Sequence, residues 1–275
     1  MIQSLHKTLP SLTQTAVLHQ QSDLVSGERL ERFLGIYQTS SPSYVLMASI
    51  TACLRYLEEN GGQAFDRYVF RLEQCRRKLS QMKNLYLPGR EIWGQGGIFD
   101  LDLSKILISG AGAGIQGPAL HRILREKYRL EMEMEAPGYV LALTSVMDTE
   151  EGFGRLTKAL EEIDSALDQA YPTKAGIHRI SIPSFGKYPE ELRPRQEMTI
   201  ARAMESEMEE KDLEYGAGRI SGEFAYLYPP GIPILTPGEE ISREFIQRAG
   251  LWKKQGLELQ GLSDYSLKKI KTVKI

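Results

Sequence analysis

Three side chains near the start of the sequence, Ser4, His6 and Lys7, have the types and spacing for covalent chemistry. A lysine is nucleophilic only when its ammonium form is destabilised by burial or by neighbouring cations. Serine and histidine hydrogen-bond phosphate groups, and a phosphate held beside Lys7 would bring an aldehyde cofactor against its amine. The three residues therefore indicate a Schiff-base lysine in a pyridoxal phosphate site. Local composition alone allows a simpler interpretation, in which Lys7 is a solvated N-terminal lysine.

The segment around these residues supports the first interpretation through a resemblance. Residues Gln3–Gln14 read QSLHKTLPSLTQ, and they resemble the cofactor-lysine segment of the Orn/Lys/Arg decarboxylase family, whose members share the aspartate-aminotransferase fold. The resemblance implies that Lys7 forms the Schiff base with pyridoxal 5'-phosphate and that Ser4 and His6 bind its phosphate. It also implies decarboxylation of a basic amino acid (arginine, lysine or ornithine) to its amine, a reaction of polyamine metabolism.

A second candidate site is a run of hydroxyl side chains at residues 39–43, just before a predicted helix. Free amides and the positive end of the helix dipole make such a position suitable for an anion, although plain N-capping explains the same residues. The run resembles the family's Thr-Ser-Pro-Ser-Tyr segment, which reaches across the dimer interface. The resemblance implies that Thr39 and Ser40 bind the phosphate of the neighbouring subunit. Because this sequence has one extra serine, either Ser40 or Ser41 could correspond to the serine of the family segment.

A third candidate is Glu223, which lies in a segment similar to the family's C-terminal domain. The prolines and glycines at residues 228–238 predict an irregular loop that could bring an acid to the rim of a pocket. We predict that Glu223 pairs with the cationic side chain of the substrate. The alternative is a structural crossover that carries a solvated acid.

The glycines Gly112, Gly114 and Gly117 suggest a different function, nicotinamide binding. They follow an apolar run, open a predicted helix and precede the glutamates at residues 131–135, so they match the dinucleotide fingerprint. A single glycine fingerprint is weak evidence, and the sequence lacks the repeated strand–helix units of a nucleotide-binding half. The alternative is a tight turn between strand and helix in a small domain.

Composition limits the remaining classes of function. Of 275 residues, 41% are hydrophobic and 25% charged, with a formal net charge of −2, so no bulk basic field exists to recruit nucleic acid or anionic lipid. The two cysteines provide neither a disulfide framework nor a zinc ligand set. The sequence contains no apolar run of about 18 residues and no signal-peptide pattern. We predict a cytoplasmic protein without a metal site, nucleic-acid partner or membrane partner.

Periodicity and composition predict an α/β fold in three parts. The resemblance implies that residues 1–90 form part of a pyridoxal phosphate-binding large domain of fold type I, residues 91–171 a small α/β domain, and residues 172–275 the C-terminal α+β domain of the family. Within the first part, the pattern predicts a short helix over residues 11–20. In the second part, residues 118–128 and 152–167 are predicted as helices. In the third part, residues 198–211 are predicted as a charged helix.

A long helix is also predicted in the first part, starting at Ser41-Pro42 and interrupted at Asn60-Gly61-Gly62. Its apolar residues are spaced for burial on one face. The residues expected in the core are Tyr44, Leu46, Met47, Ile50, Leu54, Leu57, Tyr68, Leu72, Cys75 and Leu79.

The resemblance also implies what lies outside this sequence. In the family, the acid that contacts the pyridine nitrogen and the ring stacked on the cofactor precede the lysine, whereas this sequence starts six residues before Lys7. We therefore expect apolar surface where the rest of the large domain would pack. We also expect little activity from the isolated chain, which would act in a homo-oligomer or with a separate chain that supplies the N-terminal half. The rival hypothesis is a non-catalytic truncated or assembly subunit with the same fold.

Overall fold

The computed structural model describes residues 1–95, 97–170, 194–228 and 231–274. The chain divides into two compact units, Met1–Lys78 with Leu143–Thr157 and Leu79–Ala142 with Lys158–Ile275. Within the described ranges, no helix has both the length and the apolar character needed to cross a membrane. The predicted boundary between residues 171 and 172 lies outside the described residues, and the three-part division stays a prediction.

The first unit begins with a small antiparallel hairpin. The elements of its N-terminal segment are β1 (Ile2–Ser4), α1 (Leu5–Thr8), β2 (Ala16–Leu18), α2 (Gly27–Tyr37) and α3 (Tyr44–Leu79), of which α3 ends one residue beyond the unit. Strands β1 and β2 pair with Ser4 opposite Ala16. Gln14 turns the chain with a φ of 78°, in the left-handed region. The predicted helix over residues 11–20 is therefore wrong, because pairing with β1 holds this segment extended.

Helix α3 is a single element of 36 residues. It begins at Tyr44 rather than at Pro42, because the hydroxyl of Ser43 accepts the Leu46 amide and caps the first turn. The predicted interruption at residues 60–62 is also wrong. Gly61 lies on the buried face of the helix, and the buried stripe continues past it at intervals of three or four residues, so packing outweighs the low helix propensity of glycine. The buried residues of this stripe are Cys53, Gly61, Ala64, Tyr68, Leu72, Cys75 and Leu79.

The second unit contains a three-stranded sheet in the order β3-β5-β4. Its elements are β3 (Lys105–Ile108), α4 (Gly117–Tyr128), β4 (Met134–Ala136), β5 (Tyr139–Leu143) and α5 (Glu150–Ala170), of which α5 starts in the first unit. The core beside the sheet includes Ile106, Ile108, Leu120, Leu124, Val140 and Leu160, all at most 1% exposed. Burial of each such side chain contributes about 1.5–3 kcal/mol.

One buried carboxylate fixes the chain between α3 and this sheet. Asp164 accepts the backbone amides of Lys83, Asn84 and Leu85 at 2.9, 2.7 and 2.7 Å. The Asn84 side chain in turn donates to the Asp164 carbonyl at 3.0 Å. These bonds satisfy polar groups that burial would otherwise leave without partners.

The rest of the second unit is a mixed α+β layer. Its elements are α6 (Ile200–Glu205), β6 (Met208–Asp212), β7 (Ala225–Leu227), β8 (Pro233–Leu235), α7 (Arg243–Lys254), β9 (Leu259–Gln260) and β10 (Lys269–Val273). Strand β6 pairs antiparallel with β10, and β7 lies between β8 and β9. The helix predicted over residues 198–211 is thus only half correct, because pairing with β10 holds its second half as a strand. The core includes Ala225, Leu235, Ile241, Phe245, Leu262 and Ile270.

Candidate active site around Lys7

The three candidate residues Ser4, His6 and Lys7 occupy one short turn. Ser4 ends β1 and precedes α1, and it makes no capping hydrogen bond from its side chain. Lys7 is exposed on the following turn, and His6 is half-buried between them. Leu5, which is 2% exposed, anchors the turn in the first unit. The local fold therefore presents an amine, a hydroxyl and an imidazole within four consecutive residues.

A hydroxyl-rich loop holds this turn in place. Nδ1 of His6 and the amide of Leu5 both donate to the carbonyl oxygen of Thr15, each at 3.0 Å. Farther along the loop, Ser49 of α3 contacts the hydroxyl of Ser11 at 3.1 Å. Neither Thr15 nor Ser49 was among the predicted site residues. The signal available in the sequence was the concentration of hydroxyl residues at positions 8–15.

Thr39 and Ser40 lie in the exposed segment before α3. The hydroxyl of Thr39 accepts the Ser41 amide at 3.3 Å, which closes a local turn. Ser43, rather than Ser41, provides the cap of α3. The predicted role of Thr39 and Ser40 concerns a neighbouring subunit, and it stays a prediction because the structure contains one chain.

Glu223 is buried, with 9% of its surface exposed. One carboxylate oxygen accepts the Ser263 amide at 2.7 Å, and the other accepts the Lys271 amide at 2.8 Å. The hydroxyl of Ser221 donates to the Glu223 carbonyl at 2.8 Å. These bonds tie three segments of the second unit together. They show a structural use of the carboxylate, and its predicted contact with the substrate stays a prediction.

The glycine cluster adopts the tight turn rather than a dinucleotide site. Gly114 has a φ of 77°, which favours glycine. A Cβ on Gly117 would lie 1.9 Å from the carbonyl oxygen of Ala136 and 2.3 Å from that of Tyr139. This glycine therefore permits close packing of α4 on the β4–β5 hairpin.

The topology after α4 also contradicts the nicotinamide hypothesis. A dinucleotide-binding unit places the strand after the helix parallel and adjacent to the first strand. Here β4 pairs antiparallel with β5, and β5 separates β4 from β3. The carboxylates of Glu131 and Glu135, which would contact a ribose, instead contact the two ring nitrogens of His121.

Two regions of the chain match models of known protein families. Residues 1–101 match the model for the major domain of Orn/Lys/Arg decarboxylases, and residues 185–249 match the model for their C-terminal domain. The chain is 32% identical over 271 residues to an arginine decarboxylase of Bacillus anthracis, covering 98% of this chain and 53% of that protein. It is 31% identical over 271 residues to an arginine decarboxylase of Halalkalibacterium halodurans, again covering 98% and 53%.

A solved structure supports the same relationship at the level of the fold. The lysine decarboxylase LdcF of Francisella novicida superposes with a TM-score of 0.76 at 19% identity, over 99% of this chain and 48% of that one. The chain thus spans about half the length of the curated relatives it matches. By its two family matches, its curated relatives and its fold, the chain belongs to the Orn/Lys/Arg decarboxylase family.

Proposed function

We propose that this chain provides the cofactor-lysine side of a pyridoxal phosphate-dependent decarboxylase that acts on a basic amino acid. The observation that supports the proposal most strongly is the turn that joins Ser4, His6 and an exposed Lys7. That turn lies inside the region matched by the decarboxylase major-domain model. The relatives are named arginine decarboxylases and lysine decarboxylases, so arginine, lysine and ornithine are the substrates to test.

The residues of the turn fit pyridoxal phosphate. Lys7 offers an amine for the aldehyde, and its exposure gives a bulky reagent access to it. The Ser4 side chain is not used as a helix cap, so its hydroxyl is available to a phosphate oxygen. His6 uses Nδ1 in a bond to the protein, which leaves Nε2 as the ring nitrogen for the phosphate.

Each of these side chains has a distinct role in the proposed reaction. Pyridoxal phosphate, when bound, would supply an electron sink for the loss of the substrate carboxylate as carbon dioxide. Ser4 and His6 would hold the phosphate and thereby orient the cofactor against Lys7. Lys7 would retain the cofactor between turnovers, and its amine or a nearby acid would return a proton to the substrate α-carbon.

Exposed apolar side chains in the first unit favour an interaction with a protein partner. Helix α2 buries none of its residues, although its apolar residues lie on one face. Large apolar side chains are exposed on α2 and on the first half of α3, a combination that marks an interaction surface. These residues include Phe33, Leu34, Ile36, Tyr37, Tyr44, Val45 and Met47. We propose that a second copy of the chain, or a chain that supplies the N-terminal half of the fold, covers this surface.

In such an assembly, Thr39 and Ser40 would contact the phosphate bound by the neighbouring subunit. Both residues are exposed and directly precede the first half of α3, where the large apolar side chains are also exposed. Size-exclusion chromatography with light scattering measures the assembly directly. We expect the native assembly, purified through a tag on this chain, to be a dimer or larger complex of like or unlike chains, and recovery of a strictly monomeric chain at micromolar concentration would contradict the partner proposal.

The enzymatic proposal is tested by release of carbon dioxide. The native assembly, purified through a tag on this chain, is given arginine, lysine or ornithine together with pyridoxal phosphate. We expect release from at least one of the three and none after Lys7→Arg, which keeps the charge but cannot form the covalent bond. The purified chain alone should release little. Lack of release from the native assembly with all three substrates would instead favour the non-catalytic assembly subunit.

A further inference from the structure

Thr15 lies at the centre of the hydrogen bonds that hold the candidate active site. It is 2% exposed and directly precedes β2. Its carbonyl oxygen accepts two bonds from the lysine-bearing turn, the Leu5 amide and the His6 ring. Two bonds to one carbonyl fix both the start of α1 and the orientation of the imidazole. The position of this single oxygen therefore determines how the turn presents His6 and Lys7.

The Thr15 hydroxyl determines where that carbonyl lies. It is 2.8 Å from the Ser11 hydroxyl and 2.7 Å from the Leu12 carbonyl oxygen. Ser49 contacts the Ser11 hydroxyl at 3.1 Å and accepts the Leu12 amide at 2.7 Å. The four residues thus form a closed ring of hydrogen bonds that attaches the loop to α3.

One arrangement of protons satisfies this ring. The Leu12 carbonyl can only accept, so it takes the single proton of the Thr15 hydroxyl. Ser11 then donates to Thr15, Ser49 donates to Ser11, and the Leu12 amide donates to Ser49. Every group donates once and accepts once, so removal of the Thr15 hydroxyl breaks two bonds of the ring.

The same reasoning assigns the tautomer of His6. A carbonyl oxygen cannot donate, so the proton of the 3.0 Å bond lies on Nδ1 of His6. Nε2 is then an acceptor in the neutral ring and a second donor in the imidazolium. Because phosphate oxygens accept, the imidazolium is the form of His6 that binds a phosphate through Nε2.

We propose that Thr15 is a positioning residue of the cofactor site. It fixes His6 with Nδ1 bonded to the protein and Nε2 presented to the phosphate, and it fixes the turn that carries Lys7. The ring with Ser11, Leu12 and Ser49 holds Thr15 itself in place. The part of the proposal that concerns the phosphate rests on the proposed function, whereas the tautomer of His6 does not.

The test compares Thr15→Val, which removes the hydroxyl at nearly constant volume, with Thr15→Ser, which keeps it. The first measurement needs no cofactor. Nitrogen-15 NMR of the histidine rings, assigned with His6→Gln, reports which ring nitrogen of His6 carries the proton. We expect the Nδ1-protonated form in the native chain and in Thr15→Ser, and a mixture of tautomers in Thr15→Val.

The second measurement is the dissociation constant of pyridoxal phosphate from the native assembly and from assemblies that carry each variant. Thr15→Val should weaken binding about tenfold, which corresponds to the loss of one or two hydrogen bonds, and Thr15→Ser should stay within about twofold. If Thr15→Val does not fold, Ser49→Ala breaks the same ring from α3 and should show both effects. Unchanged tautomer and unchanged affinity in the folded variants would overturn the proposal. Absence of pyridoxal phosphate binding by the native assembly would instead count against the proposed function, and the tautomer result alone would then decide whether Thr15 positions His6.

Discussion

Glu223 offers a direct test of whether a buried acid is structural. Its two carboxylate oxygens each accept one backbone amide, from Ser263 at 2.7 Å and from Lys271 at 2.8 Å. In Glu223→Gln, the remaining side-chain oxygen still accepts one backbone amide, but the new side-chain NH2 group faces the other backbone amide, which is also a donor. The loss of one charge-assisted bond, with a buried amide left without its acceptor, should lower the free energy of unfolding by about 2–3 kcal/mol. Glu223→Ala removes both acceptors and should cost roughly 3–5 kcal/mol.

Trp252 makes this loss measurable, because it packs against the core of the second unit, which contains Ala225, two residues from Glu223. Since the chain has two tryptophans, a Trp93→Phe background leaves Trp252 as the only one. Urea unfolding followed by its fluorescence gives the stability of the native chain and of each variant. Glu258→Gln, at an exposed glutamate of the same unit, is the matched control and should change stability by less than about 0.5 kcal/mol. If Glu223→Gln were as stable as Glu258→Gln, the structural interpretation would be refuted, and a raised KM with native stability would support the substrate contact.

Two further predictions concern the second unit. Gly117→Ala should destabilise the chain by at least 2 kcal/mol, roughly the cost of overpacking, because the new methyl would meet two backbone carbonyl oxygens. The control is Gly154→Ala on the open face of α5, which should be tolerated. Equal thermal midpoints of the two variants would contradict the prediction. Asp264 accepts the Ser266 hydroxyl and backbone amides, which lower its pKa to about 2 from 3.8. A carboxyl whose pKa is lowered on folding stabilises the fold above its unfolded pKa. The stability advantage of the native chain over Asp264→Asn should therefore be full above pH 3.8 and disappear as the pH falls toward about 2. Urea midpoints of the two proteins that differ equally at pH 5 and at pH 2 would contradict this prediction.

Local patterns in the sequence predicted some elements well. The helical period that ends α3 predicted burial of Tyr68, Leu72, Cys75 and Leu79, and all four are at most 8% exposed. The helices predicted at residues 118–128 and 152–167 correspond to α4 and α5. These predictions succeeded because the core that covers each helix belongs to the described chain.

The same reasoning failed where the covering surface is not fixed by local sequence. Tyr44, Met47 and Leu54 were predicted to be buried, but 50–78% of each is exposed. Periodicity identifies an apolar face, but it does not show which element covers it. Likewise, residues 11–20 form part of a hairpin because β1 pairs with them, and that contact is not visible in their own pattern.

The residues of the candidate site could be selected from the sequence, whereas the contacts that support them could not. Residue types and the resemblance to the decarboxylase family pointed to Ser4, His6 and Lys7, which lie on one turn, and their chemistry stays a prediction. The importance of Thr15 depends on contacts across nine residues to His6 and on a ring closed through Ser49. Similarly, the amides that occupy Glu223 come from residues 40 and 48 positions away. Contacts of this kind exist only in the folded chain.

The most direct test of the central claim is to locate the covalent bond between the protein and pyridoxal phosphate. The native assembly is incubated with the cofactor, reduced with borohydride, digested, and mapped by mass spectrometry. We predict a reduced pyridoxyl phosphate adduct on Lys7 and its loss in Lys7→Arg, with Lys83→Arg as the control that keeps it. An adduct that persists in Lys7→Arg, or that maps to another lysine in the native assembly, would contradict the assignment of Lys7.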